Sequence, residues 1–265
     1  MDSALSVLNM TFNNCIKRVA SFEELVATPF AGGVNAICWE RRLPGDFAEV
    51  AAKLGPGEAI RTLDEEPLQS LKLTADGLKA VHVMLEDLRL LQEHGKAPLL
   101  NCIGQYPRDE GAVVVATDVM SWHVDSAPVE ADTWLCTYHG APSEGLRNDE
   151  ARRKVDIPEI RAALLKEYGG EDSDAFREWL TENCYDLHYA PLPGAKPYSF
   201  GIGNLWRIAI EHPGNSSELR ALSSELPANG SGLTAHGSQL TASPPCIHRA
   251  PDTKPGDPAR LLLIS

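Results

Sequence analysis

Residues in two separate stretches of this chain have the types and spacing of a metal-binding set. His123 and Asp125 form an H-x-D motif in mid-chain, and His248 lies near the C-terminal end with Arg260 beyond it. Two imidazoles and one carboxylate can occupy one face of an iron(II) ion and leave the opposite positions open. Those positions suit a co-substrate and dioxygen, so the pattern predicts His123, Asp125 and His248 as metal ligands at a catalytic centre.

The elements that must position these ligands are predicted to be short strands. An H-x-D motif alone is weak evidence in a chain with 8 His and 37 acidic residues. Residues i and i+2 of a strand point to the same side, however, so a strand edge would aim His123 and Asp125 in one direction. Apolar stretches at 112–120 and 133–138 are predicted strands entering and leaving the motif. His248 lies in a short predicted strand that Pro251 ends.

Arg260 begins the apolar stretch 260–264, which is predicted to be the terminal strand. A fixed guanidinium can hold a carboxylate through two parallel hydrogen bonds. If the last two strands are neighbours, we expect Arg260 to face the metal at a distance set by a short dicarboxylate.

With these residues in place, the chain resembles the iron(II)- and 2-oxoglutarate-dependent oxygenases. That family carries H-x-D, a distant His and then Arg or Lys on the next strand of a double-stranded β-helix. The resemblance implies that Arg260 binds the far carboxylate of 2-oxoglutarate, and that dioxygen and 2-oxoglutarate yield succinate, carbon dioxide and an oxidised substrate. One departure is Leu262, because many relatives have a hydroxyl residue there.

A narrower likeness covers most of the chain. The blocks are similar, in the same order, to landmarks of a poorly characterised microbial family, which is itself similar to fungal oxygenases that act on amino acids and form aziridines. They are residues 39–41, 123–125, 136–140, 248–251 and 260–263. The resemblance implies a small-molecule substrate such as an amino acid, with hydroxylation, desaturation and cyclisation all open as outcomes.

Further candidates lie on segments expected to line the same mouth. Asn101 and Thr137 are predicted to contact the co-substrate. Trp122, Tyr138, Arg207 and Arg249 are predicted to contact the substrate. Aromatic and Thr residues in strands often serve only packing, and that alternative stays open for each of them.

Composition limits the remaining possibilities. The formal net charge of −13 and the lack of a dense basic run argue against nucleic acid or an anionic membrane surface as the main partner. No apolar run is long enough to span a bilayer, and residues 1–18 lack the pattern of a secretory signal. The 6 cysteines are scattered without a C-x-x-C pair, which favours a reducing, cytoplasmic setting. The oligomeric state is left open.

The predicted fold is mainly β with helices, an α+β chain. Helices are expected at 21–27, 46–54, 75–94, 157–168 and 174–184, and strands at 34–39, 99–103, 111–120, 133–138, 205–211, 245–248 and 260–264. We expect an N-terminal mixed, mainly helical subdomain over 1–98, packed on a jelly-roll core over 99–265. Insertions are expected at about 149–186, which is helical, and 213–244, which is either a loop over the active site or a solvated linker.

Two alternatives to the oxygenase hypothesis remain at this point. The first is another metal enzyme on the same barrel, either a zinc hydrolase or an oxygenase that needs no 2-oxoglutarate, because zinc accepts the same ligands. The second is a non-catalytic, ligand-binding β-barrel whose histidines are structural.

Overall fold

A computed structural model describes residues 15–55, 57, 59–111, 114–211, 243–254 and 256–265. The helices are α1 (Phe22–Ala27), α2 (Phe47–Leu54), α3 (Glu65–Gln69), α4 (Ala75–Glu93), α5 (Pro158–Tyr168) and α6 (Asp174–Glu182). The strands are β1 (Ile16–Val19), β2 (Ala36–Trp39), β3 (Ile60–Thr62), β4 (Leu99–Ile103), β5 (Asp132–His139), β6 (Glu144–Leu146), β7 (Ala151–Arg153), β8 (Tyr189–Pro191), β9 (Tyr198–Ser199), β10 (Leu205–Ala209), β11 (Ile247–Arg249) and β12 (Arg260–Ile264). The chain is therefore a mixed α+β protein, as predicted.

Seven of these strands form one large sheet in the order β1-β2-β10-β5-β12-β4-β3. The β1–β2 pair is parallel and the other pairs are antiparallel. The centre of the sheet is β5, which pairs with β10 on one side and β12 on the other. Two smaller sheets contain β11-β6-β9 and β7-β8.

Helices α1, α2, α3 and α4 contribute to the core on one face of the large sheet. The apolar residues of α4 recur at helical spacing, and Ala80, Met84 and Leu91 are fully buried. They share a core with alternate residues of β5 and β12, including Trp134, Cys136, Tyr138, Leu261 and Leu263. Ser21, Asp46 and Thr74 cap three of these helices, because each accepts a hydrogen bond from a first-turn backbone N–H.

The opposite face of the large sheet packs against the β11-β6-β9 sheet. Leu135, Trp206, Ile208 and Leu262 of the large sheet share a second core with residues of the small sheet and its flanks, namely Tyr198, Phe200, Cys246 and Ala250. Because side chains alternate along a strand, each residue of β5, β10, β11 and β12 belongs to one face or the other. We call the face of the large sheet that points to the small sheet the inner face, and the opposite one the helical face.

The predicted strand at 111–120 is wrong for its described part, residues 114–120, which have no strand conformation. Two aspartates redirect the backbone there. Asp109 accepts from the N–H of Thr117, and Asp118 accepts from the N–H groups of Met120 and Ser121. Such side-chain acceptors compete with a strand ladder for the backbone donors.

Other expectations are met in different degrees. The strands at 99–103, 133–138, 205–211 and 260–264 and the helices at 157–168 and 174–184 are confirmed within a few residues. The insertion at 213–244 lies almost entirely outside the described residues. The division at residue 98 stays a prediction, although β1, β2 and β3 belong to the same sheet as β4 and β5. No helix among the described residues is long and apolar enough to cross a bilayer.

Candidate metal and anion site

The two ligand-bearing stretches meet through their backbones. His123 and His248 form an antiparallel pair in which each backbone N–H donates to the other residue's carbonyl at 2.9 Å. On the far side of this segment the Val124 N–H donates to the Leu187 carbonyl, and His123 bridges to His188. The segment around His123 thus extends the small sheet beyond β11, which explains how residues distant in sequence become neighbours.

Three side chains converge at this point on the inner side. One ligand atom from each of His123, Asp125 and His248 lies within 4.8 Å of the others. His123 Nε2 is 3.7 Å from Asp125 Oδ1, and His248 Nε2 is 3.6 Å from Asp125 Oδ2. The structure therefore brings together the predicted residues, in the geometry that a single cation would need.

Each ring of the pair is oriented by a backbone carbonyl. His123 Nδ1 lies 2.7 Å from the Ser121 carbonyl, and His248 Nδ1 lies 3.1 Å from the Cys246 carbonyl. A proton on each Nδ1 makes that nitrogen the donor and leaves Nε2 as a free lone pair. Both free Nε2 atoms face Asp125, so the rings present their ligand atoms to one point.

The pKa shifts in the cluster favour the protonation states in which His and Asp bind a metal. Burial, helped by the nearby His248, lowers the pKa of His123 to about 4, so this ring is neutral near pH 7. Burial by itself raises the pKa of the Asp125 carboxyl, but His248 and a hydrogen bond from Thr133 outweigh it and the net pKa is lowered. A neutral imidazole and an ionised carboxylate are the protonation states that bind metal.

Arg260 forms a second centre between the sheets. Its side chain is 1% exposed, on the inner face of β12. Its Nη1 donates to the Tyr106 hydroxyl, and its Nη2 donates to Thr137 Oγ1 at 2.9 Å and Ser143 Oγ at 2.7 Å. Its Nε has no hydrogen-bond partner, and no carboxylate pairs with it, in the part of the chain that the structure describes.

Burying a guanidinium without a counter-ion costs free energy, because the charged form loses its hydration. Burial lowers the pKa of Arg260 below its usual value, with the Tyr106 hydroxyl opposing the shift. Hydroxyl groups offset part of the desolvation of a cation, whereas an anion offsets its charge directly. The three hydroxyls and Arg260 together form a polar cradle whose chemistry suits a carboxylate.

The predicted co-substrate residues lie on the inner face. Thr137 contacts Arg260 directly. Asn101 is buried on β4 opposite Leu262, and its Oδ1 accepts from Thr62 Oγ1 at 3.0 Å. Tyr106 and Ser143 were not predicted, because both lie in loop segments where no period marks a side chain's direction.

The expected location of Tyr138 and Arg207 at the mouth is wrong, because both lie on the helical face. Tyr138 donates to Asp87 at 2.8 Å and stacks on Phe47. Arg207 pairs with Asp132 at 2.7 Å and donates to backbone carbonyls at the end of α1. Strand alternation is the reason, since Tyr138 follows the inner-facing Thr137 and Arg207 follows the inner-facing Trp206.

The expected location of Trp122 at the mouth is wrong for the same reason, and Arg249, a candidate for contact with the substrate, also points away from the ligands, as alternation predicts for a neighbour of His248. Each directly adjoins a ligand in sequence and therefore points to the opposite side of its segment. The Arg249 guanidinium lies 4.4 Å from the centre of the Trp122 ring and pairs with Glu144 at 2.6 Å. Trp122 packs with Val124, Leu146 and Ile247 on the outer side of the small sheet.

An aromatic wall adjoins His248. Phe200 stacks between Tyr198 and Trp206, with ring centres 5.7 Å and 4.5 Å apart, and its ring centre is 6.5 Å from that of His248. All three aromatic residues belong to the inner core. These rings cover one side of the cluster. Tyr198 and Phe200 are two residues apart, which is the spacing of neighbours on one face of a strand, and this pattern was not used in the sequence-based prediction.

Comparison with known proteins supplies no relative from which to transfer a function. No family model, curated protein or solved structure matches this chain. The case for a function therefore rests on the residues and their geometry.

Proposed function

We propose that this protein is a non-haem iron(II)- and 2-oxoglutarate-dependent oxygenase that oxidises a small molecule. The observation that carries the proposal is the placement of two centres on one strand face. Thr133 of β5 contacts Asp125 of the His–Asp–His cluster, and Thr137 of the same strand contacts the buried Arg260. A metal-ligand set and a buried cation that pairs with no carboxylate among the described residues thus both adjoin the inner face of one strand.

The donor set suits a resident iron(II) ion. His123 and His248 would supply two imidazole nitrogens, and Asp125 would supply a carboxylate oxygen, which is the two-histidine, one-carboxylate set of such centres. When bound, iron(II) supplies the activation of dioxygen that an organic side chain cannot provide. The protein would hold the ion with these three side chains, and the Phe200 ring, 6.5 Å from that of His248, would help to exclude water from one side of the site.

The spacing of the two centres suits 2-oxoglutarate. Residues four apart on a strand are separated by about 13 Å, and the side chains on Asp125 and Arg260 shorten that gap. A five-carbon dicarboxylate could therefore chelate the metal at one end and place its far carboxylate against Arg260. The hydroxyls of Tyr106, Thr137 and Ser143 would orient the guanidinium and add donors for the same carboxylate.

The finer fold and setting belong to the same proposal. We assign the two facing sheets to a double-stranded β-helix, the jelly-roll scaffold on which this chemistry commonly occurs. The 6 cysteines are free thiols, which supports a reducing cytoplasm as the compartment. Free amino acids are the first substrate class to screen, with dioxygen as the other reactant and neither nucleic acid nor membrane as a partner.

The alternatives predict different behaviour. A zinc hydrolase or an oxygenase independent of 2-oxoglutarate would bind metal through the same three residues but would not need Arg260. A non-catalytic barrel would bind neither iron nor cobalt at the cluster. The buried Arg260, whose Nε has no hydrogen-bond partner among the described residues, favours the 2-oxoglutarate enzyme over all of these, because an anionic ligand would offset its charge.

The test is an anaerobic titration of the purified protein with ferrous iron and 2-oxoglutarate. We expect a weak visible charge-transfer band that appears only when both are present, and its loss in His248→Ala. Succinate release in a screen of free amino acids would then identify the substrate class. A wild-type protein that binds iron but gives no band, and releases no succinate, would refute the 2-oxoglutarate assignment.

A further inference from the structure

Thr133 connects the two layers of the protein at the ligand cluster. It lies on β5 of the large sheet, whereas Asp125 belongs to the segment that extends the small sheet. Its Oγ1 donates to Asp125 Oδ2 at 2.6 Å, a short hydrogen bond for a hydroxyl and a carboxylate. The Thr133 side chain is buried, whereas that of Asp125 is 32% exposed, so this bond is partly buried.

The two oxygens of Asp125 consequently have different environments. Each oxygen lies near one ring nitrogen, Oδ1 at 3.7 Å from His123 Nε2 and Oδ2 at 3.6 Å from His248 Nε2, but only Oδ2 accepts a hydrogen bond among the described residues, from Thr133. A carboxylate can bind a metal through one oxygen or through both, and the second mode uses an additional coordination position. A donor fixed on one oxygen favours the first mode.

On this basis, and resting on the proposed function, we infer that Thr133 is a positioning residue that limits Asp125 to one bond with the metal. The hydroxyl would occupy Oδ2 with a hydrogen bond and fix the rotamer of the carboxylate, which leaves Oδ1 as the oxygen that binds the metal. Three positions on the metal would then stay available, which a chelating co-substrate and dioxygen together require. Thr133 acts through Asp125 and touches no reactant.

The inference is supported by the position of β5, which pairs with a strand on each side. Thr133 pairs with Ile208 of β10, and the strand continues to Thr137 at the Arg260 cradle. One strand therefore fixes the carboxylate ligand and the anion cradle relative to each other. A loop residue in the same role would leave both the rotamer and the spacing free to vary.

The experiment compares Co(II) binding by wild type, Thr133→Val, Thr133→Ala and Thr133→Ser. Co(II) is chosen because its visible spectrum reports the number and arrangement of ligands without turnover. We expect the Val and Ala variants to bind Co(II) about 10- to 100-fold more weakly than wild type, the usual effect of losing such a supporting hydrogen bond. Their visible bands should shift, and Ser should restore both properties.

A matched control removes a similar bond elsewhere. Thr181 Oγ1 donates to Asp186 Oδ2 at 2.8 Å, and neither residue belongs to the ligand cluster. Thr181→Val should lower thermal stability but keep the wild-type Co(II) affinity and spectrum. Thermal melting in the presence of a chelator measures folding of every variant, and Thr133→Ala carries the test if the larger Val does not fold.

The outcomes separate the two proposals. If wild type binds Co(II) and His248→Ala does not, while Thr133→Val and Thr133→Ala match wild type in affinity and spectrum, the inference about Thr133 fails and the metal centre stands. If wild type and His248→Ala bind Co(II) equally poorly, the proposed function fails, and the inference fails with it. Weaker binding that Ser does not restore would also overturn the role of the hydroxyl.

Discussion

At the scale of single residues, the direction in which a side chain points matters more for the site than the residue type does. His123, Asp125 and His248 converge because one backbone pair aligns their segments and strand alternation turns all three inward. The same alternation turns Trp122 and Arg249 outward, although each adjoins a ligand in sequence. Residue type therefore selects candidates, and the parity of each position along its segment decides which of them reach the site.

Arg260 supports the sharpest prediction at this scale. We expect Arg260→Met to bind 2-oxoglutarate about 100-fold more weakly than wild type, because two charge-assisted hydrogen bonds are worth roughly 3 kcal/mol. Its affinity for Co(II) should stay within about threefold of wild type, since Arg260 does not belong to the ligand cluster. Calorimetric titration of the Co(II)-loaded protein with 2-oxoglutarate measures the first effect.

Arg249→Met is the matched control for that variant. Arg249 lies on the outer side of the small sheet, where it pairs with the half-exposed Glu144. Exposed ion pairs contribute at most about 1 kcal/mol, so this variant should retain both affinities and lose little stability. Equal loss of 2-oxoglutarate binding in the two variants would mean that the cation acts through overall charge and not through the cradle.

At the scale of elements, the small sheet depends on close packing around a glycine. Gly145 of β6 pairs with His248 of β11, and a Cβ built on it would lie 2.2 Å from the Tyr198 ring. We expect Gly145→Ala to displace either Tyr198 or β11, with a loss of about 1–3 kcal/mol in the free energy of unfolding. Because His248 is the paired residue, Co(II) affinity should fall as well.

The control for this prediction is Gly111→Ala. Among the described residues, a Cβ at Gly111 would meet nothing closer than 4.0 Å, so we expect wild-type stability and metal affinity. Urea unfolding in the presence of a chelator measures the first property, and Co(II) titration measures the second. Wild-type behaviour of Gly145→Ala in both assays would contradict the close packing of Tyr198 against β6.

Element prediction from the sequence succeeded where apolar runs are long and failed where side chains direct the backbone. Strands β4, β5 and β12 and helix α4 were predicted because their apolar residues show a clear period between turn signals. Strands β6 and β9 contain 3 and 2 residues, too few for any period to be visible. The segment at 114–120 was misassigned because Asp109 and Asp118 accept backbone N–H groups that a strand would need.

Part of the candidate site was predictable from the sequence, namely the ligand triad, and part was not. The ligand triad followed from residue types, since few side chains bind iron and H-x-D aligns two of them. Thr133 carries a recoverable signal, because it lies four residues before Thr137 on one strand and so shares its face. Tyr106 and Ser143 reach Arg260 only through the tertiary fold, which places two loops beside β12.

At the scale of the whole molecule, the large sheet separates two cores that differ in composition. The helical-face core is mainly apolar and also contains the buried Arg41–Asp87 ion pair, joined by the Tyr138 hydroxyl. The inner core is lined by the ligand cluster, the aromatic wall and the Arg260 cradle. Both cores bury cysteines, so thiol chemistry reports on the integrity of each layer.

Thiol reactivity provides the prediction at this scale. Cys38 and Cys246 lie in the inner core and Cys136 in the helical-face core, and burial raises the pKa of each thiol to about 12. At pH 8 roughly one such thiol in 10,000 is ionised, and the thiolate is the reactive form. Cys184 is exposed and Cys15 is half-buried. We expect an aromatic disulfide reagent to modify Cys184 rapidly in the native protein and Cys15 more slowly.

The remaining thiols, including the buried Cys102, should react only after unfolding in guanidinium. Cys184→Ser should remove the rapid phase of thiol modification and leave the slow phase unchanged. The absorbance of the released reagent is then enough to assign the rapid phase to Cys184. Rapid native-state labelling of Cys246 would contradict the closed inner core around His248, because the Cys246 carbonyl orients that ring. Rapid labelling of Cys136 with Cys246 protected would instead show that the helical layer opens independently, since the sheet between them isolates the two cores.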